Sequence, residues 1–276
     1  MKTSELYQLY RRIFREQEFE SPDLEAAWLL EEILQEKPGT VPCSVRPVTE
    51  DEESRARLFL DRRLRHEPYQ YIFGHASFRD LELLVGPGCL IPRPETEVLV
   101  DHILSGLPHG ASVCELGTGS GAIALSLASE RPDLAVCASE LSANAFAWAV
   151  KNRERLHLER VRLEQGDLFE PFGAEQFDVI AANLPYIAEW ERRLLPRNVR
   201  DFEPDEALFA PDGGFALILR AIMEAPMHLR PHGRIFLEIG EEQGARCLDA
   251  AVAAHYRRSE IRVDQYGAPR FFIAGV

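Results

Sequence analysis

The chain has 276 residues, enough for one large domain or a large one with a small companion. Hydrophobic residues make up 46% and charged residues 28%, the balance of a soluble globular protein, and no apolar run approaches the roughly 18–20 residues that span a bilayer. The formal net charge of −14 argues against a nonspecific grip on RNA or DNA, because phosphate neutralisation needs a basic face.

Met1-Lys2-Thr3-Ser4-Glu5 lacks the apolar core of a signal peptide, since charge recurs at Arg11, Arg12 and Arg15. A cytoplasmic protein is expected. Cys43, Cys89, Cys114, Cys137 and Cys247 are scattered without metal-ligand spacing, so they read as free thiols, and no metal site is expected.

Residues 1–74 read as a helical domain. Ser21 is placed to cap a helix with Pro22 at its first position and an apolar series Leu24, Ala27, Trp28 and Ile33. Thr49 with Glu52 forms a capping box ahead of a helix over 50–65. His75–Val85 is short and β-prone, with a turn near Arg79-Asp80 and Gly86-Pro87-Gly88 after it. Residues 75–90 are therefore read as a β-hairpin linker.

Residues 91–276 form the second domain in this reading. Pro92–Glu97 is a rigid loop entering a helix at Pro94. Strands are expected at Ser112–Leu116, Leu134–Ala138, Val161–Glu164, Phe177–Ala182 and Arg234–Ile239, with helices at Ala122–Ala128 and from Ser142 through Ala149. Short strands alternating with helices predict a parallel sheet covered on both faces. The last two strands, Glu260–Val263 and Arg270–Ala274, are close enough for an antiparallel hairpin at the sheet edge. Arg192, Arg193, Arg197 and Arg200 cluster; a solvated helix face accounts for them better than a local basic patch.

Gly117-Thr118-Gly119-Ser120-Gly121 follows a strand and opens a helix. Lacking Cβ atoms, such a turn can approach a ligand closely and present free N–H groups. The string fits an S-adenosylmethionine turn and equally a dinucleotide fingerprint, with Glu140 about 20 residues on to accept from ribose hydroxyls in either case. Glu115 favours the methyl donor, because a carboxylate there suits an ammonium group and opposes a pyrophosphate. Asp167 could accept from an adenine amino group, and Leu168 could press on the base.

Asn183-Leu184-Pro185-Tyr186 follows the apolar strand Phe177–Ala182, where open parallel sheets bind ligands. An amide or aromatic-amine nitrogen is a poor nucleophile because its lone pair is delocalised. The Asn183 side-chain oxygen and the Leu184 carbonyl supply two acceptors for its two N–H bonds. Pro185 stiffens the turn and the Tyr186 ring can pack on a planar group. Amide and adenine acceptors both satisfy this arrangement, and a hydride-transfer enzyme finds no acid or base near Asn183.

These strings resemble class I S-adenosylmethionine-dependent methyltransferases acting on nitrogen. Leu90-Ile91-Pro92-Arg93-Pro94-Glu95-Thr96-Glu97 narrows this, being similar to the signature of bacterial release factor glutamine methyltransferases, the PrmC/HemK family. Pro68–Gly74, Val199–Pro204 and Leu237–Gly240 also fit. The resemblance implies an α/β fold with a Rossmann-like methyltransferase sheet, helices on both faces and an antiparallel edge strand, plus the small helical domain joined by the hairpin. It implies N5-methylation of the glutamine in the Gly-Gly-Gln tripeptide of class 1 peptide chain release factors, with the helical domain helping to hold the release factor. Gly117 to Gly121, Glu140 and Leu168 would bind the cofactor and Asn183 to Tyr186 the glutamine. A monomer without nucleic acid or membrane partners is expected.

The family has a second proline where Leu184 stands, more often an aspartate at Glu140, and commonly an aromatic residue at Leu168. Ribosomal RNA adenine dimethylases share Asn-Leu-Pro-Tyr but lack the preceding hairpin and the Pro92–Glu97 string.

Overall fold

A computed structural model describes all residues from Met1 to Val276. Its chain divides into two compact units, Met1–Gly74 with Arg197–Phe202, and His75–Pro196 with Glu203–Val276.

In the smaller unit, helices α1 (Thr3–Glu16), α2 (Pro22–Leu34), α3 (Glu50–Arg63) and the short α4 (Tyr69–Phe73) surround their own core. Leu6, Tyr10 and Phe14 recur at helical spacing on α1 and meet Leu29, Leu30 and Ile33 of α2 with Ala56 and Leu60 of α3. The capping box is present: Thr49 Oγ1 accepts the Glu52 N–H, and the Glu52 carboxylate accepts the Thr49 N–H. Ser21 departs from expectation, making no side-chain bond to the helix it precedes. The expected face of α2 is also corrected, since Leu24 and Trp28 are exposed. Ala26, Leu29, Leu30, Ile33 and Leu34 form a wider apolar stripe, and it is that stripe which turns inward. Of the basic cluster, Arg192 pairs with Glu189 and Asp205, while Arg197 and Arg200 pair with Asp201. These three charges are neutralised locally.

The larger unit begins with the hairpin β1 (His75–Phe78) and β2 (Leu81–Leu84), whose turn is Arg79-Asp80. Phe78 and Leu83 are fully buried in the core of this unit. Helix α5 (Pro94–Leu104) starts at its proline. Then come β3 (Ser112–Leu116), α6 (Ala122–Glu130), β4 (Ala135–Glu140), α7 (Ala143–Arg155), β5 (Arg162–Gln165), β6 (Phe177–Ala182) and, after short helical turns, α8 (Ala216–His228). The chain ends with β7 (Leu229–Glu238), α9 (Gly244–Ala253), β8 (Arg258–Val263) and β9 (Pro269–Gly275). Ser142 precedes α7 as expected, but its hydroxyl donates to Glu206 instead of capping the helix.

The sheet order is β5-β4-β3-β6-β7-β9-β8. Strands β5 to β7 pair in parallel, and β9 runs antiparallel to both β7 and the edge strand β8. Alternate residues feed opposite faces. Val113, Val179, Ala181, Phe236 and Phe271 join α5, α6 and α7 in one core, while Cys114, Ile180, Leu237 and Phe272 join α8 and α9 in the other. The sheet is thus covered on both sides, which is why its central strands read as continuous apolar runs.

Candidate active site

The order of β4, β3 and β6 makes a topological switch point: after β3 the chain moves to one side, and β6 returns on the other. Leu116 at the end of β3 pairs with Ala182 at the end of β6. The next residues, Gly117 and Asn183, therefore leave the sheet side by side. A cleft opens there, lined by both loops and by Thr96, Glu115 and Glu140.

Gly117, Gly119 and Gly121 all have positive φ, at 68°, 59° and 88°. The reason for glycine differs between two of them. A Cβ on Gly121 would lie 2.6 Å from Leu125 Cδ1, so this position serves helix packing. A Cβ on Gly119 would meet nothing within 4 Å, so its open side faces the cleft that it lines.

Two acids flank the turn. Glu140 Oε2 accepts the Gly119 N–H and Oε1 accepts the Ser142 N–H, both at 2.8 Å. A carboxylate has about four acceptor positions, so capacity remains for hydroxyl donors. Burial raises its pKa against those bonds. Glu115 is 2% exposed and accepts from Thr118 Oγ1 at 2.5 Å and the Ala124 N–H at 2.9 Å. Burial pushes its carboxyl up to about 8, the two hydrogen bonds opposing and Glu140 adding to the rise. This is a strand-end acid bonded to its surroundings, and also an acid that gains by meeting a cation.

Asn183 Nδ2 donates to Thr96 Oγ1 at 3.0 Å, and Thr96 Oγ1 donates to Glu238 Oε2 at 2.6 Å. Tyr186 donates its phenol to Glu238 Oε1 at 3.3 Å, and its carbonyl accepts Gln243 Nε2 at 3.0 Å. Burial beside Glu238 holds the Tyr186 pKa well above that of a free phenol. With Nδ2 turned to Thr96, Asn183 Oδ1 is available as an acceptor, and no main-chain donor takes the Leu184 carbonyl. The Leu184 side chain is buried, its Cδ2 3.1 Å from where a Gly117 Cβ would stand. Leucine in place of proline thus packs beneath the glycine turn while its carbonyl remains free.

Thr118, Ser120 and Pro185 also line the cleft, whereas Asp167 and Leu168 are engaged elsewhere. Asp167 pairs with Arg220 at 3.0 Å, and Leu168, at φ 45°, is buried in the core formed with α8. Apolar burial draws the Leu168 side chain, expected to press on the adenine, into that core. Sequence reasoning did not pick out Thr96, Glu238 or Gly214 as parts of this arrangement. The signal for Glu238 was an acid interrupting the apolar run Ile235–Ile239, the same pattern that marks Glu115.

A parallel sheet with one reversed strand, opening at its switch point beside a glycine turn and an Asn-Leu-Pro-Tyr loop, defines a Rossmann-like methyltransferase. The description "PrmC N-terminal domain" matches residues 5–74 and "Methyltransferase small domain" matches residues 94–197. The release factor glutamine methyltransferase of Geobacter sulfurreducens is 38% identical over 239 residues, 86% of this chain and 84% of that protein. That of Salmonella typhimurium is 41% identical over 214 residues, 77% of this chain and 75% of the relative. A methyltransferase crystal structure from Pyrococcus furiosus shares the fold, with a TM-score of 0.54 at 19% identity, over 82% of this chain and 98% of that one. The chain belongs to the release factor glutamine methyltransferase family.

S-adenosylmethionine is the cofactor of such an enzyme, and the cleft fits it. Glu115 is a buried carboxylate with no cation among the groups that shift its pKa, Glu140 retains acceptor capacity, and Gly119 leaves its Cβ position open.

Proposed function

We propose that this protein transfers a methyl group from S-adenosylmethionine to the side-chain amide nitrogen of the glutamine in the Gly-Gly-Gln tripeptide of class 1 peptide chain release factors. The observation that carries the reading is the orientation of Asn183, whose Nδ2 is held by Thr96 so that Oδ1 is left to accept. Asn183 Oδ1 and the Leu184 carbonyl take the two N–H bonds of the acceptor amide. Held from both sides, the nitrogen aims its lone pair at the methyl group, and these bonds tighten as positive charge builds on it. S-adenosylmethionine supplies an electrophilic methyl on a sulfonium. Glu115 receives its ammonium group and Glu140 its ribose hydroxyls, while Gly117, Thr118, Gly119 and Ser120 line its path, Gly121 completes the turn that holds them, and Asn183 borders it. Pro185 fixes the loop and the Tyr186 ring packs on the glutamine amide. Asp167, whose Oδ2 is held by Arg220, keeps Oδ1 to accept from the adenine amino group.

A protein acceptor agrees with the net charge of −14, which disfavours a polyanion. No helix is long and apolar enough to cross a membrane, and the reading places a monomeric enzyme in the cytoplasm, with the smaller unit helping to hold the release factor. The test is transfer of labelled methyl to purified release factor, with the tripeptide glutamine changed to alanine as the control. Label confined to the parental release factor is expected; equal labelling of the alanine form refutes the acceptor.

A further inference from the structure

One buried carboxylate serves both ends of the Asn183–Tyr186 string. Glu238, at the end of β7, is 1% exposed, and each of its oxygens accepts one hydroxyl, from Thr96 and from Tyr186. A hydroxyl has a single proton to give. An ionised carboxylate can only accept, so the Thr96 proton is committed to Glu238. The Thr96 oxygen can then only receive, and of the two ends of the Asn183 amide only the NH2 end can give. The direction of one hydrogen bond at Glu238 therefore decides which way the Asn183 amide faces.

We propose that Glu238 and Thr96 are positioning residues for methyl transfer: ionised Glu238 fixes the Thr96 hydroxyl as an acceptor, and Thr96 keeps Asn183 Oδ1 turned to the substrate amide. The inference rests on the reading of Asn183 as the amide clamp. When Glu238 takes a proton from solvent it becomes a donor to the Thr96 oxygen. The Thr96 proton is released to point at Asn183, whose amide turns to offer Oδ1 inward and NH2 outward. The clamp then meets the glutamine NH2 with a donor where an acceptor is needed.

The groups facing Glu238 set when this happens. Thr96 and Glu95 come from α5, Tyr186 from the loop after β6, and Arg270 from β9. Arg270 and the two hydroxyls favour the ionised form, Glu95 opposes it, and burial is the largest influence, raising the pKa. A raised pKa with an active ionised form means that transfer is lost as pH falls, with the midpoint above the usual carboxylate range.

The experiment is single-turnover transfer to release factor at saturating S-adenosylmethionine across pH, with cofactor Kd measured for every variant. Thr96→Val should slow transfer by about 30-fold with Kd little changed, as expected for a lost orienting bond. Thr96→Ser should restore the rate to within about threefold, since the hydroxyl alone is required. Glu238→Gln should lose the acid limb, because its side chain no longer titrates. Parental transfer by Thr96→Val, a serine variant as slow as the valine one, or an unchanged acid limb in Glu238→Gln each overturns the proposal. Should Thr96→Val lose cofactor binding through misfolding, the serine variant and the pH profiles decide. Asn183→Ala separates the two readings. Parental transfer there refutes the clamp, while its inactivity beside a fully active Thr96→Val refutes only the relay.

Discussion

The carbonyl of Tyr186 lies against the backbone of Gly214 so closely that a Cβ there would stand 2.0 Å from the oxygen. Gly214 also has φ +83°, which side chains rarely adopt. Gly214→Ala must therefore push the Tyr186 main chain aside and break its bond from Gln243 Nε2. Methyl transfer should fall by about 10-fold or more, since small displacements of positioning groups cost that much. Cofactor affinity, which depends on the other side of the cleft, should change little. Single-turnover assays with parallel calorimetry check this, and an alanine variant with parental transfer would show that the Tyr186 loop tolerates the shift.

Asn183→Ala removes the side-chain acceptor and leaves Thr96 without its donor. Transfer should fall on the order of 10²–10³-fold, the usual effect of deleting one oriented hydrogen bond to a charge-developing centre. The glycine turn and Glu115 do not depend on Asn183, so cofactor binding should persist. Equilibrium binding and labelled-methyl transfer on the same preparation separate the two outcomes.

Glu115 makes cofactor affinity depend on pH. With its carboxyl pushed up to about 8 in the free chain, it is mostly neutral at pH 7 and must lose a proton to meet an ammonium group. Affinity should rise from pH 6 to about 8 and level off above it, with proton release on binding near neutrality. Calorimetry in buffers of different ionisation enthalpy measures that release, and Glu115→Gln should abolish it. Stability carries the matching sign. A folded-state pKa above the ordinary value gives a contribution present at low pH and lost as pH rises through about 8. Glu115→Gln should therefore gain thermal midpoint relative to the parent as pH goes from 6 to 9.

The turn glycines separate packing from ligand approach. Gly121→Ala combines backbone strain at φ +88° with a Cβ 2.6 Å from Leu125, and should cost about 2–4 kcal/mol of stability. Gly119→Ala meets nothing and should cost only about 1–2 kcal/mol in backbone strain, while its methyl intrudes on the cleft and weakens cofactor binding. Urea midpoints rank the two variants, and equal midpoints would mean that the helix start relaxes around Leu125.

Much of this architecture was legible because its central strands are apolar and sharply bounded. Ser112–Leu116 stops at glycine and Phe177–Ala182 stops at Asn183-Leu184-Pro185, so their limits could be read directly. The first half of β7 could not, since Pro231, His232 and Gly233 look like a loop, and the register with β6 does break there, between the Leu229 and Arg234 pairings. The inward face of α2 was misread because Trp28 outweighs smaller residues in a local pattern, whereas tertiary packing selected the longer stripe ending at Leu34. The two strings that carry the cleft were visible. Their support was not, because Thr96 meets Asn183 across 87 positions and Glu238 across 142 separates from Thr96, distances over which no periodicity speaks.

Strands β3 and β6 occupy the middle of the seven-stranded sheet, each hydrogen-bonded on both sides and sealed by a core on both faces. No fluctuation confined to an edge can free their amides. In heavy water the amides of Val113–Leu116 and Val179–Ala182 should be among the slowest of the larger unit to exchange, escaping only when the whole sheet opens. The loops that grip the ligand are thus mounted on the last part of the sheet to melt, and thermal loss of the methyl-transfer geometry should coincide with global unfolding of that unit instead of preceding it.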